Sequence, residues 1–147
     1  MGKNAKVVFT NGIFDLLHPG HIALLEFAKS LGDYLIVAIN SDRATKLLKG
    51  SERPIQNEND RKAALEMLSY VDEVVIFDDI RTTNIVRTLQ PHIIVKGSEY
   101  TVEQVRTTDC IPAEIEIITC PIMTDERGVK LSTTALIEQM KKDEVVI

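Results

Sequence analysis

The chain has 147 residues, 44% of them hydrophobic and 27% charged, which is the length and balance of one globular domain and excludes a disordered chain. A formal charge of −5 argues against the basic surface of a nucleic-acid binder, although the sign of a single pocket is set by the few groups that line it. Its apolar runs are too short for a signal peptide or a membrane span, so no membrane partner and a cytoplasmic location are expected.

In chain order, Val- and Ile-rich runs at residues 6–10, 34–40, 73–77, 92–96 and 114–119 read as strands. Between them, Leu24, Leu25, Ala28 and Leu31 stand at helical spacing within residues 20–31, and Ala64, Leu65 and Leu68 do so within residues 58–69. A shorter helix is expected at residues 82–89. A last one opens near Ser132, carries Leu136, Ile137 and Met140 on one side, and ends on Lys141 and Lys142, where the helix dipole favours cations. Residues 49–57 are polar, contain Gly50 and Pro54, and read as the mobile loop. Strands alternating with helices predict an α/β fold, a Rossmann-like doubly wound parallel sheet in a single domain over residues 1–147. Ligands of such sheets bind beyond the C-terminal ends of the strands, at the switch point in strand order.

The segment from Thr10 to His21 carries the clearest chemistry. A strand ends at Thr10, Gly12 permits a tight turn, and Pro19 suits the first position of a helix. Two of the three histidines, His18 and His21, then bracket that helix start, where free N–H groups and the positive dipole end already favour an anion. Phosphoryl transfer needs such positioning and charge stabilisation more than a covalent nucleophile. No third His or paired Cys has the spacing of a zinc site, so no protein metal centre is expected, and Cys110 and Cys120 read as reduced thiols. Asp15 either caps a turn or orients a histidine or a metal ion. Arg61 heads the inward stripe of its helix, as a buried salt bridge or as a phosphate clamp. Lys46, Lys49 and Arg53 form either a solvated charged loop or a lid over phosphates. Ser132 can cap the last helix, but with Thr133 and Thr134 it offers more hydroxyls than a cap needs.

These segments, with residues 38–42, Arg53-Pro54-Ile55, Asp60-Arg61, residues 95–100 and residues 131–134, resemble the HxGH cytidylyltransferase-like nucleotidyltransferases from residue 6 to residue 141. The chain is most similar to the adenylyltransferase domain for D-glycero-β-D-manno-heptose 1-phosphate, which is found fused to, or working beside, a sugar kinase. The resemblance implies that His18 and His21 stabilise a pentavalent α-phosphate, with Lys46 and Arg61 as further catalytic cations. It assigns Phe9, Thr10, Asn11, Gly12, Phe14, Asp15, Arg127, Ser132, Thr133 and Thr134 to the nucleotide, and Asp42, Lys96, Gly97 and Tyr100 to the acceptor. Lys130 departs from the pattern of the glycerol-phosphate relatives, which usually has Gly there. The partners implied are a nucleoside triphosphate, a phosphorylated small-molecule acceptor, Mg2+ or another divalent ion carried with ATP, a second copy in a homodimer, and a separate sugar kinase upstream. The rival within the same fold is a glycerol 3-phosphate cytidylyltransferase or another sugar- or alcohol-phosphate nucleotidyltransferase. The rival from another class is a non-catalytic nucleotide-binding module, against which His18, His21, Arg61 and Ser132 count.

Overall fold

A computed structural model of the chain describes residues 4–120. Its centre is a five-stranded parallel sheet in the order β3-β2-β1-β4-β5, made by β1 (Val7–Gly12), β2 (Tyr34–Asn40), β3 (Glu73–Phe77), β4 (Ile93–Gly97) and β5 (Glu116–Cys120). The run from Leu35 to Asn40 is buried without polar alternation, as a strand covered on both faces must be. The chain builds outward from β1 through β2 to β3, then returns to lay β4 on the other side of β1. The switch point therefore lies between β1 and β4, and this is the doubly wound, Rossmann-like topology expected.

Successive side chains of β1 feed opposite cores, because a strand's side chains alternate between its two faces. Val8 joins Leu35, Val37 and Val95 beneath α1 (Pro19–Ser30) and α3 (Glu58–Glu66), which contribute Leu25, Ala28 and Leu65. Phe9 joins Ile36, Ala38 and Ile94 on the other face, where α4 (Thr83–Leu89) and α5 (Val102–Thr108) contribute Val86 and Val105. Burying such a side chain is worth about 1.5–3 kcal/mol, so both helix layers are held mainly by these contacts.

The structure departs from the sequence reading at several points. Residues 42–49 form a helix, α2 (Asp42–Lys49), so Lys46 stands on a helix and the loop begins at Gly50. Ser41 starts α2 by accepting the N–H of Ala44, and the helix buries only Ala44 and Thr45. A further short helix, α5, opens on a capping box between Thr101 and Gln104. β1 runs on to Gly12 because Asn11 and Gly12 still pair with Ala38 and Ile39. α3 stops at Glu66, where the N–H groups of Met67 and Leu68 turn to carbonyls three residues back. Cys110 and Cys120 are both free thiols. Among the described residues no helix is long and apolar enough to cross a membrane. The helix expected near Ser132, with Arg127, Lys130, Ser132, Thr133 and Thr134, lies outside the described residues.

Candidate active site

After β1 the backbone makes a turn that bulky residues rarely accept. Phe14 and Leu16 sit at φ 51° and 54°, the left-handed region, which costs roughly 1–2 kcal/mol per residue. Packing and hydrogen bonds offset that cost. The Phe14 ring is buried and stands 5.1 Å from the His21 ring, tilted by 50°. It lies so close to Gly12 that a Cβ there would stand 3.0 Å from it, so any larger residue would push on the ring. The buried Asp15 carboxylate accepts the N–H groups of Ile55 at 2.7 Å and Gln56 at 2.9 Å, and the Arg53 Nε at 3.2 Å. Gln56 in turn accepts the N–H of Leu16. The turn after β1 and the segment before α3 are thus fastened to each other.

His18 and His21 open α1. His18 is its N-cap, with Nδ1 accepting the N–H of Gly20 at 3.1 Å, while Nδ1 of His21 accepts the N–H of His18 at 3.3 Å. The pair forms a reciprocal capping box with imidazoles in place of hydroxyl and carboxamide. Their rings stack at 3.8 Å between centroids, 25° apart. A neutral imidazole whose Nδ1 accepts carries its proton on Nε2, so both rings offer an Nε2–H. His18 Nε2 is buried without a hydrogen-bond partner among the described residues, an arrangement native structures rarely leave without a use. Burial holds the pKa of His18 below its usual 6.5. Burial and the neighbouring His18 push His21 down to about 3, against the opposing pull of Asp15. At neutral pH the pair is therefore uncharged and acts through N–H donors, added to the positive end of the α1 dipole.

Both histidines line a cavity of about 840 Å³ over the C-terminal ends of β1 and β4. The structure brings Thr10, Asn11, Gly12, Phe14 and Asp15 to this cavity from the β1 side, and Lys96, Gly97 and Tyr100 from the end of β4. Lys96 Nζ donates to Asn11 Oδ1 and lies 5.4 Å from the Tyr100 ring centroid. Burial lowers the Lys96 pKa, while the carboxylates of Asp109 and Glu99 pull it back up.

Four expected residues do not line this cavity. Phe9 is a core side chain on the α4–α5 face. Arg61 is fully buried and donates to the carbonyls of Gln56 (3.0 Å), Ile13 (2.8 Å) and Asn40 (2.9 Å), and to the Asp42 carboxylate (2.8 Å). Of the two readings of Arg61, the geometry is that of the buried ion pair. A guanidinium committed to three carbonyls and a carboxylate has little left for a phosphate, and Asp42 is its partner. Lys46 donates to the carbonyl of Arg53 at 3.1 Å from an exposed site. Arg53 itself does line the cavity, and its terminal nitrogens make no hydrogen bond among the described residues. Sequence reasoning also missed Thr82, Gln104 and Asp109, which reach the cavity from the starts or ends of α4 and α5 and carry no motif. Among the described residues no group of three or more His, Cys, Asp or Glu could hold a metal ion.

Residues 9–139 match the Cytidylyltransferase-like family. The chain is 47% identical over 137 residues to the bifunctional protein HldE of Helicobacter pylori (strain P12), an alignment covering 93% of this chain and 28% of that one. It is 50% identical over 107 residues to the bifunctional protein HldE of Gluconobacter oxydans (strain 621H), covering 73% of this chain and 22% of that one. The chain thus spans about a quarter of the length of these curated relatives. The crystal structure of the lipopolysaccharide core biosynthesis protein from Thermoplasma volcanium GSS1 superposes with a TM-score of 0.70 at 28% identity, over 84% of this chain and 100% of that one. Pantoate-beta-alanine ligase from Francisella tularensis shares the fold, with a TM-score of 0.65 at 20% identity over 99% of this chain and 72% of that one. The match runs from the strand that opens the cavity, through the histidine-capped helix, to beyond the last described strand: the chain belongs to the cytidylyltransferase-like family of nucleotidyltransferases.

Proposed function

We propose that this chain transfers AMP from ATP to D-glycero-β-D-manno-heptose 1-phosphate, releasing pyrophosphate and giving ADP-heptose. The observation that carries the reading is the histidine pair, whose shared cap leaves two Nε2–H donors at the mouth of α1. In the reaction an oxygen of the acceptor phosphate forms a bond to the α-phosphorus while the bond to the bridging oxygen breaks, and pyrophosphate leaves with that electron pair. The attacking oxygen is already anionic, so no side chain has to remove a proton. The two imidazoles donate to the oxygens of the five-coordinate phosphorus, where negative charge builds up. Arg53 faces the leaving pyrophosphate, and Lys96 faces the acceptor phosphate. Arg61, Asp42 and Asp15 act as positioning residues, holding the turn after β1 against residues 53–56.

Magnesium prefers phosphate and water oxygens and would arrive already bound to ATP. Bound there, it neutralises charge on the triphosphate. The working unit would be a homodimer, supplied with heptose 1-phosphate by a sugar kinase activity; light scattering tests the first point.

Pyrophosphate release, measured with ATP, CTP and GTP against heptose 1-phosphate, glycerol 3-phosphate and other sugar phosphates, tests the reading. Release confined to ATP and heptose 1-phosphate is expected. Release with CTP and glycerol 3-phosphate, and none with ATP and heptose 1-phosphate, overturns it.

A further inference from the structure

One carboxylate of the cavity wall takes no part in the transfer proposed for the histidines. Asp109 ends α5, is only 8% exposed, and lines the cavity. It is gripped from the start of α4: Thr82 Oγ1 donates to its Oδ2 at 2.8 Å, and Thr83 Oγ1 donates to its backbone carbonyl at 2.8 Å. Thr82 is the N-cap residue of α4, yet it makes no side-chain cap bond; its hydroxyl is spent on Asp109 instead. The other carboxylate oxygen, Oδ1, accepts no hydrogen bond among the described residues, and Asp109 forms no ion pair there.

A buried carboxylate held in place with one oxygen free is an acceptor in search of a donor. It repels phosphate, so it marks the part of the cavity that the phosphates of either substrate avoid. Lys96 lines the same cavity from the end of β4, its Nζ bonded to Asn11 at the end of β1, and Asp109 is among the carboxylates that pull its pKa back up. A cation and a fixed carboxylate in one cavity suit a small molecule carrying a phosphate at one end and hydroxyls at the other. We propose that Asp109, oriented by Thr82, determines acceptor specificity by accepting a hydrogen bond from a hydroxyl of a polyhydroxylated phosphate ester whose phosphate faces Lys96. This rests on the nucleotidyl-transfer reading of the cavity. A site built to bond a substrate hydroxyl rejects the analogue that lacks it far more strongly than an apolar site rejects a missing methylene.

The variant Asp109→Asn keeps an oxygen for Thr82 and nearly the same volume, but turns the free acceptor into a donor. With ATP and heptose 1-phosphate, it should raise the acceptor KM at least tenfold and leave the ATP KM within twofold. The penalty should vanish for one of the monodeoxy analogues of the acceptor, which a purely structural role would not produce. Thr82→Val should shift the acceptor KM in the same direction, and Thr82→Ser should restore it. An unchanged acceptor KM in Asp109→Asn, or a rise in the ATP KM instead, overturns the proposal. If the wild-type protein releases no pyrophosphate with any ester, the transfer reading itself fails. Calorimetric titration of heptose 1-phosphate into both proteins then judges Asp109 separately: binding at least tenfold weaker in Asp109→Asn supports the assignment, and equal affinities overturn it.

Discussion

His18 and His21 hold each other in place: the backbone N–H of one is bonded to the ring of the other, and the rings stack at 3.8 Å. Cap and proposed reaction centre are the same two side chains, so their structural and chemical parts must be separated by choice of substitute. His18→Asn can still cap α1 through its side-chain oxygen, and His21→Gln can still reach back to the N–H of His18. Each should keep the fold while lowering kcat by about 10²–10³, the usual loss for one transition-state donor. His18→Ala should in addition lose about 1 kcal/mol of stability with the cap. Steady-state kinetics and urea unfolding read the two effects apart; wild-type turnover in both conservative variants would end the mechanism.

The same burial makes the pair a source of acid sensitivity. Folded His21 titrates at about 3, against 6.5 for the free side chain. Between those values the unfolded chain binds a proton that the folded chain refuses, so stability is full above pH 6.5 and is lost as pH falls toward 3. His18 shifts in the same direction. Urea unfolding at a series of pH values should show a smaller acid loss in His21→Gln than in the wild type. In NMR spectra of the wild type, the His21 ring should stay in its Nε2–H form below pH 6; a protonated ring at pH 6 would contradict the assignment.

Arg53 and Arg61 should separate cleanly. Arg61→Met removes the partner of Asp42 and of three carbonyls, and breaking a buried pair in this way costs about 3–5 kcal/mol. Arg61→Lys keeps the charge but not the planar fork, and should recover only part of that loss. Arg53→Ala removes the guanidinium beside the buried Asp15, so it should cost some stability, less than Arg61→Met because Asp15 keeps the N–H groups of Ile55 and Gln56. It should also raise the ATP KM roughly tenfold, about 1.4 kcal/mol of lost binding. The opposite pattern in unfolding and kinetics would return the phosphate contact to Arg61.

Gly12→Ala tests the link between the end of β1 and the histidines. The added Cβ meets the Phe14 ring at 3.0 Å, and that ring rests against His21. Small shifts of positioned catalytic groups are expensive, so kcat should drop at least tenfold while the melting temperature moves by only a few degrees. Wild-type kcat would show that the ring yields without disturbing His21.

Much of this molecule is readable along the chain because its signals are local. The Val- and Ile-rich runs match the five strands to within two residues at either end, and the Pro-Gly between the histidines marks the start of α1. α2 and α5 leave no apolar stripe like that of α4, which packs Ile85, Val86 and Leu89: Leu47 and Leu48 of α2 are exposed, and α5 offers only Val102 and Val105. The site was legible where neighbours in sequence are neighbours in space, from Thr10 to His21 and from Lys96 to Tyr100.

Periodicity and local motifs by themselves determined a parallel α/β sheet with a helix opening between two histidines after its first strand, since hydrophobic spacing and helix capping act over a few residues. The tertiary structure decided which charges face the cavity. Arg61 is drawn to carbonyls and a carboxylate up to 48 residues away, Asp15 to amides 40 and 41 residues away, and Asp109 to a hydroxyl 27 residues away. Those partners meet only because the crossovers fold the chain back over the ends of β1 and β4. A buried charge settles wherever the fold leaves unpaired donors or acceptors.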